Sequence, residues 1–361
     1  MAKSSYLVRE EHIPDRASFP VIDAHNHLWG KLGADQLVEI MDAVGVVSYC
    51  DLTPRERFAW VKGGVSTQTR AIEDFFTDFA NCYPGRFYAF TGATFAHDPN
   101  DPLFSDAKEF VKETVSMLEQ HVGLGVRGLK ILKDFGLAAT DARGNLIACD
   151  DPRLAGIWEA AGSLGVPVLI HQSDPYGFFE PVTPENEHYE SLAKYSDWRF
   201  DDPKFPRKME LLQRRDNLVR RHPNTTFILP HVANFAENLP YVSQLLDGNP
   251  NVYIDFSARI DELGRQPYSA REFFIRYQDR ILFGSDMPAS PAMYRCYFRF
   301  LETFDEYFFA PDYDGTFERH RWAIYGIGLD KEVLAKIYYQ NALKVVPGLK
   351  EDLAGLLPDC R

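Results

Sequence analysis

Two histidines one residue apart, His25 and His27, close the apolar run that begins at Val21. On a β-strand, residues i and i+2 face the same side. The two imidazoles would therefore project together and could grip one metal ion. Asp23 has the same parity and could stand beneath them as a hydrogen-bonding support. Taken alone, the pair would also suit strand histidines that merely hydrogen-bond. Other ligand-type residues, however, end other apolar runs. His171 closes 166–171, His231 closes 225–231 and Asp286 closes 280–286.

His25, His27, His171 and Asp286 together offer three nitrogens and a carboxylate to one divalent ion. That set suits Zn²⁺ first and would also serve Mn²⁺ or Fe²⁺. His231 is placed off the metal. From the strand end between those of His171 and Asp286 it would face the ion's water or the substrate, and neutral imidazole exchanges protons near pH 7. The alternative is that His231 ligates a second metal. Lys130 lies inside the run 125–132, where an unpaired ammonium is costly. It would orient substrate, pair with Asp286 or a substrate carboxylate, carry an N-carboxyl group bridging two metals, or point outward as a structural residue.

Groups so far apart in the chain need a frame that gathers them. Eight apolar runs fall at about 19–27, 45–52, 86–95, 125–132, 166–171, 225–231, 251–256 and 280–286. Helix-like segments alternate with them, for example 34–44, 68–82, 103–121, 152–164, 206–222, 236–247 and 269–277. This alternation is the pattern of an α/β fold, a (β/α)8 barrel with parallel strands. Its chemistry sits at the C-terminal strand ends, which is where the histidines and Asp286 fall. His97 and Asp98 lie near the tip of the third run. The stretch with Lys62-Gly63-Gly64 lacks phosphate-loop spacing and reads as a flexible connection. The last segment, about 291–347, reads as helical.

The expected organisation is an N-terminal arm over 1–18, one barrel domain over 19–347 and a tail over 348–361. A long aromatic insert, about 172–205, follows the fifth strand, and loops of that length are usually functional. Its Tyr176, Phe178, Phe179, Tyr189, Tyr195, Trp198 and Phe200 would wall a flat or sugar-like ring, or simply pack the insert onto the barrel. Arg259 and Arg265 would clamp a substrate carboxylate or pair with Asp261 or Glu262. Asp174 and Glu180 could bind substrate hydroxyls.

The bulk numbers agree with a large buried core and narrow the partners. The chain has 361 residues, 45% of them hydrophobic and 14% aromatic. Its net charge of −13 argues against nucleic acid and against anionic membrane surfaces as partners. A small molecule is the expected partner. The five cysteines are scattered and show no C-x-x-C, as in a reduced cytoplasmic protein. No signal-peptide core and no run of membrane-spanning length is expected.

The motifs Asp23-Ala24-His25-Asn26-His27, Gly128-Leu129-Lys130, the strand-end His171 and His231, Phe283-Gly284-Ser285-Asp286 and the terminal Tyr339-Gln340-Asn341-Ala342 resemble the amidohydrolase superfamily. The amidohydrolase-2 branch of metal-dependent TIM-barrel hydrolases is the most similar, over roughly 19–347. The resemblance implies one metal on His25, His27, His171 and Asp286, with His231 catalytic. It also implies dimers as a common state, so a homodimer is an expectation from resemblance alone. The branch contains lactonases, other hydrolases, a hydratase and non-oxidative decarboxylases. Metal-assisted hydrolysis of a small lactone, ester or amide leads, with Asp286 accepting a water proton and His231 serving the carbonyl or leaving group. The runner-up is non-oxidative decarboxylation of an aromatic or sugar-like carboxylic acid at the same site. A non-catalytic metal-binding barrel is the third alternative.

Overall fold

The computed structural model describes residues 12–61, 64–92, 107–310, 321–355 and 357. His97 and Asp98, residues 1–11 of the expected arm, and the Lys62-Gly63 pair lie outside them. The barrel begins with β1 (Val21–Asn26) and β2 (Val46–Asp51). A hairpin of β3 (Glu56–Val61) and β4 (Gly64–Thr69) intervenes. The barrel resumes with β5 (Phe87–Gly92), β6 (Gly128–Ile131), β7 (Val168–Ile170), β8 (Phe227–Leu229), β9 (Val252–Asp255) and β10 (Ile281–Leu282).

The eight barrel strands pair in parallel in chain order. Backbone bonds from Ala24 N to Phe283 O (3.0 Å) and from Asp286 N to His25 O (2.8 Å) join the last strand to the first. Helices such as Ala34–Val44, Ala155–Ser163 and Lys208–Arg221 form the crossovers. The strands read as near-continuous apolar runs because helices cover them outside and side chains fill them inside. Ile22, Leu129, Leu169, Ile228, Ile254 and Leu282 are all buried. Among the described residues no helix is long and apolar enough to cross a membrane.

Three segments differ from the sequence expectation. The connection around Gly64 belongs to a hairpin, because β-branched Val65, Thr67 and Thr69 pair with the strand Glu56–Val61. Phe58 N donates to Leu28 O (2.9 Å) and Gly30 N to Phe58 O (2.7 Å), so the hairpin extends the β1 end above the barrel mouth. The helix expected over 68–82 shortens to Ile72–Ala80, since β4 takes its first residues. Within 291–347, the described residues 303–310 and 321–330 are not helical; Phe308 and Ile324 bridge instead. Beyond 347, the helix Leu349–Asp352 packs onto the barrel with Leu349 and Leu353 buried.

Candidate active site at the barrel mouth

β1 delivers His25 and His27 to the mouth, and both are buried. His25 Nδ1 lies 2.8 Å from Asp255 Oδ2, at the end of β9. Its N–H donates to that carboxylate, which leaves the Nε2 lone pair facing the mouth. His27 Nδ1 is 2.8 Å from Thr53 Oγ1, so its Nε2 is likewise directed inward.

Asp255 is the residue that sequence reasoning missed. The supporting role expected of Asp23 falls to Asp255 for the His25 ring. Asp23 instead ties β1 to the loop after β10, accepting from Ser285 Oγ (2.6 Å), Tyr294 OH (2.8 Å) and Asn26 Nδ2 (3.0 Å). Asp255 also accepts from His231 N (3.1 Å) and Ser257 Oγ (2.6 Å). The signal was available, since Asp255 ends an apolar run as Asp286 does.

β8 stops at Leu229, before His231. The next residues, His231, Val232, Ala233 and Asn234, stand at φ of 58°, 55°, 52° and 57°. A left-handed turn of non-glycine residues costs on the order of 1–2 kcal/mol per residue. Its polar groups are pinned to offset this. Asn234 N donates to Pro230 O (2.9 Å), buried Lys208 Nζ donates to Asn234 O (2.5 Å), and the Arg215 guanidinium donates to Ala233 O. The turn aims the His231 ring into the mouth. Its Nδ1–H donates to Ser257 O (2.8 Å), so Nε2 carries a lone pair, buried and without a hydrogen-bond partner.

Asp286 meets all these nitrogens. Its Oδ1 lies 3.5 Å from His27 Nε2; its Oδ2 lies 3.8 Å from His25 Nε2 and 3.7 Å from His231 Nε2. These gaps are too long for hydrogen bonds. Two atoms each about 2.1 Å from one ion would be roughly 3–4 Å apart, so the gaps fit shared ligation. The group that gathers within 4.8 Å is His25, His231 and Asp286.

That group differs from the expected set. His171 Nε2 turns to donate to Ser173 O at 3.1 Å, and its ring packs 4.5 Å from the His231 ring. His231, placed off the metal by its sequence position, stands as near Asp286 as His25 does.

Burial and neighbouring charge set the protonation states. Burial holds His25, His27 and His231 well below 6.5, with nearby Lys130 or His171 acting the same way, so these rings are neutral. Burial also lowers His171, to about 4. Lys130 is buried with Nζ 3.5 Å from His25 Nε2. Burial lowers it to about 8 against the pull of Asp286 and Asp255. Burial raises Asp286 to about 7, against Lys130. Lys130 thus faces inward beneath the mouth, which removes the outward structural alternative.

Above these groups lies a pocket of about 240 Å³. Phe178 and Trp198 of the insert stack with rings 15° apart and form one wall. Trp29 and Phe58 form another, and Phe58 also touches the His27 ring at 5.2 Å. Asp174, Lys133 and Arg259 supply charge. Lys133 Nζ is 2.5 Å from Asp174 Oδ2. Burial alone would raise Asp174; Lys133 and His171 outweigh it and hold the carboxyl well below 3.8. Arg265 is elsewhere, paired bidentately with Glu187 at 2.6 and 3.0 Å. Phe178, Leu192 and Phe200 bury into a small satellite core, so the insert both packs and lines the pocket.

A family model described as Amidohydrolase (Amidohydro_2) matches residues 22–348. No curated protein matches the chain. Solved structures share the fold. A dihydroxybenzoic acid decarboxylase from Polaromonas sp. JS666, with bound manganese and 2-nitroresorcinol, superposes with a TM-score of 0.55 at 15% identity, covering 91% of this chain and 97% of that one. A putative amidohydrolase from Staphylococcus aureus gives 0.54 at 17% identity, covering 91% and 99%. An uncharacterized TIM-barrel protein from Bordetella bronchiseptica gives 0.51 at 16% identity, covering 86% and 81%. At these identities the structures establish the barrel, while the family match spans both the histidine pair of β1 and the aspartate after β10: this chain belongs to the amidohydrolase-2 family of enzymes.

Proposed function

We propose that the chain is a metal-dependent hydrolase of a small ring-bearing lactone, ester or amide. The observation that carries this reading is the contact of three neutral imidazole Nε2 atoms with the two oxygens of Asp286 at 3.5–3.8 Å. His25, His27 and Asp286 would hold the ion, with His171 completing the set if its ring turns from Ser173. Zinc is the first choice, and manganese fits the same donors. The bound ion would supply Lewis acidity for a carbonyl or water oxygen.

The chain's own groups do the rest. Asp286 accepts a proton from the attacking water. His231 Nε2, with its lone pair, relays a proton to the leaving group. Lys130 lies close enough to Asp286 and His25 to stabilise negative charge. Trp29, Phe58, Phe178 and Trp198 sandwich a flat ring and exclude water from its faces. A pocket of about 240 Å³ holds one ring with few substituents.

A second reading rests on Lys133 and Arg259. Arg259, beside the Lys133–Asp174 pair on the wall of a flat aromatic pocket, gives that wall one more cation than this pair's carboxylate neutralises, which suits a ring carboxylate. Non-oxidative decarboxylation would use the same ion, with a proton delivered to the ring carbon as CO₂ leaves. The Polaromonas protein, a dihydroxybenzoic acid decarboxylase with bound manganese on the same fold, supports this reading. The test is metal analysis of the purified enzyme, followed by assay against lactones and aromatic or sugar carboxylates. Acid release without CO₂ supports hydrolysis; CO₂ release replaces it with decarboxylation.

A further inference from the structure

A second cluster of ligand-type side chains lies at the junction of the insert and the barrel rim. Glu187, His188 and Glu237 each offer an atom within 4.8 Å of the others. The first two belong to the insert, and Glu237 follows the left-handed turn after β8. An independent observation points to a cation there. Glu262, in the short helix Ile260–Gly264 after β9, is fully buried, and neither carboxylate oxygen has a hydrogen-bond partner. Its Oε1 faces His188 Nε2 at 3.9 Å.

A buried carboxylate demands a compensating charge. The nearby cation, Arg265, is already committed. It pairs bidentately with Glu187 and stacks 4.3 Å over the Trp322 ring. Glu237 accepts only a backbone bond, from Tyr176 N at 2.6 Å. Glu187, Glu237 and Glu262 outnumber the two cations that act on them, Arg265 and the buried Lys208 beside Glu237, so the cluster keeps a net negative charge that a divalent ion offsets. A mixed imidazole and carboxylate set suits Mn²⁺ or Zn²⁺ more than Mg²⁺ or Ca²⁺, which prefer oxygen alone.

We infer that Glu187, His188, Glu237 and Glu262 form a second divalent-cation site that fastens the aromatic insert to the barrel. The His188 ring packs 5.2 Å from Phe178, which walls the substrate pocket. An ion here fixes that wall without touching the reacting atoms. The site goes beyond the proposed activity and stands whether or not that activity is correct.

The test uses the full-length chain, stripped with chelator and dialysed against Mn²⁺ or Zn²⁺, with metal counted per chain. Two ions are expected in the wild type and one in Glu262→Gln. Glu237→Gln, at a half-buried position, gives the same count if Glu262→Gln does not fold. Crystals grown with Mn²⁺ should show an anomalous peak between Glu187, His188 and Glu237. Mn²⁺ should also raise the Tm of the Asp286→Asn variant, and adding Glu262→Gln to that variant should remove the rise. A wild-type ion count that neither Glu262→Gln nor Glu237→Gln lowers, whether one or two per chain, overturns the proposal.

Discussion

His231 Nε2 lies 3.7 Å from Asp286 Oδ2, and both residues stand on left-handed backbone, at φ of 58° and 50°. L-residues avoid that region at a cost of about 1–2 kcal/mol each. The chain therefore accepts strain at both ends of one contact, where the sixth and eighth barrel strands meet the pocket. Such strain persists only where surroundings over-determine it, and here they do. Asp255 accepts the His231 N–H, and Asp286 N donates to His25 O. The strain is spent on placing a lone pair against a carboxylate.

His231→Asn tests what that lone pair does. The variant should retain its ion at Asp286 and lose turnover by at least about 100-fold, the usual worth of a positioned acid–base group. Metal counting and steady-state kinetics on one preparation check both. Loss of the ion together with turnover would make Nε2 a ligand, as its closeness to His25 and Asp286 allows. An unchanged rate would remove His231 from the mechanism.

Asp255→Asn removes the acceptor that fixes the His25 tautomer at 2.8 Å. The amide can present its NH₂ to Nδ1 and draw the ring proton to Nε2, where it blocks ligation. Metal affinity should fall about 10- to 100-fold, the usual effect of removing a ligand's supporting carboxylate. Competition with a chromophoric chelator measures it, and unaltered affinity would assign His25's orientation to Ser257 instead.

Much of this was legible in the sequence because barrels write their strands as apolar runs. The histidines at 25, 27, 171 and 231 and Asp286 mark strand ends without any structure. Three features were hidden for physical reasons. The Asp255–His25 bond spans 230 positions, and nothing local to either residue announces it. The turn at His231–Asn234 contains no glycine, so sequence gives no sign of its left-handed backbone. The hairpin Glu56–Thr69 is interrupted by glycine at 64 and reads as a loop, although it brings Phe58 against His27. Trp198 and Asp174 were found from the insert's composition, and both line the pocket.

Gly284→Ala should disrupt the site without touching a ligand. A Cβ at this position would lie 2.7 Å from His25 Cβ and 3.5 Å from Asp255 Cβ. Neither backbone can retreat, because β1 and the β10 end are bonded together here. Overpacking of this kind costs about 1–3 kcal/mol. The variant should melt earlier and bind its active-site ion more weakly. Wild-type metal affinity with wild-type Tm would show that the two strands can part.

Lys133→Met tests the pocket ion pair through its pH dependence. Asp174 is held well below its ordinary 3.8 despite burial, with Lys133 the leading cause of that lowering. A carboxyl whose folded value is depressed contributes stability above its unfolded value. That contribution is lost as pH falls from about 4 towards the folded value, because the unfolded state then binds the extra proton. Without Lys133, the leading cause of the lowering is gone, burial acts on Asp174 against His171 and the nearby Lys208, and its folded value rises. Loss on acidification should then begin at a higher pH in the variant. Urea unfolding from pH 6 to pH 3 on both proteins gives the comparison, since every other titrating group is common to the two. Parallel curves would mean that Lys133 is dispensable and that His171, 3.5 Å from Asp174, together with Lys208 holds the carboxylate.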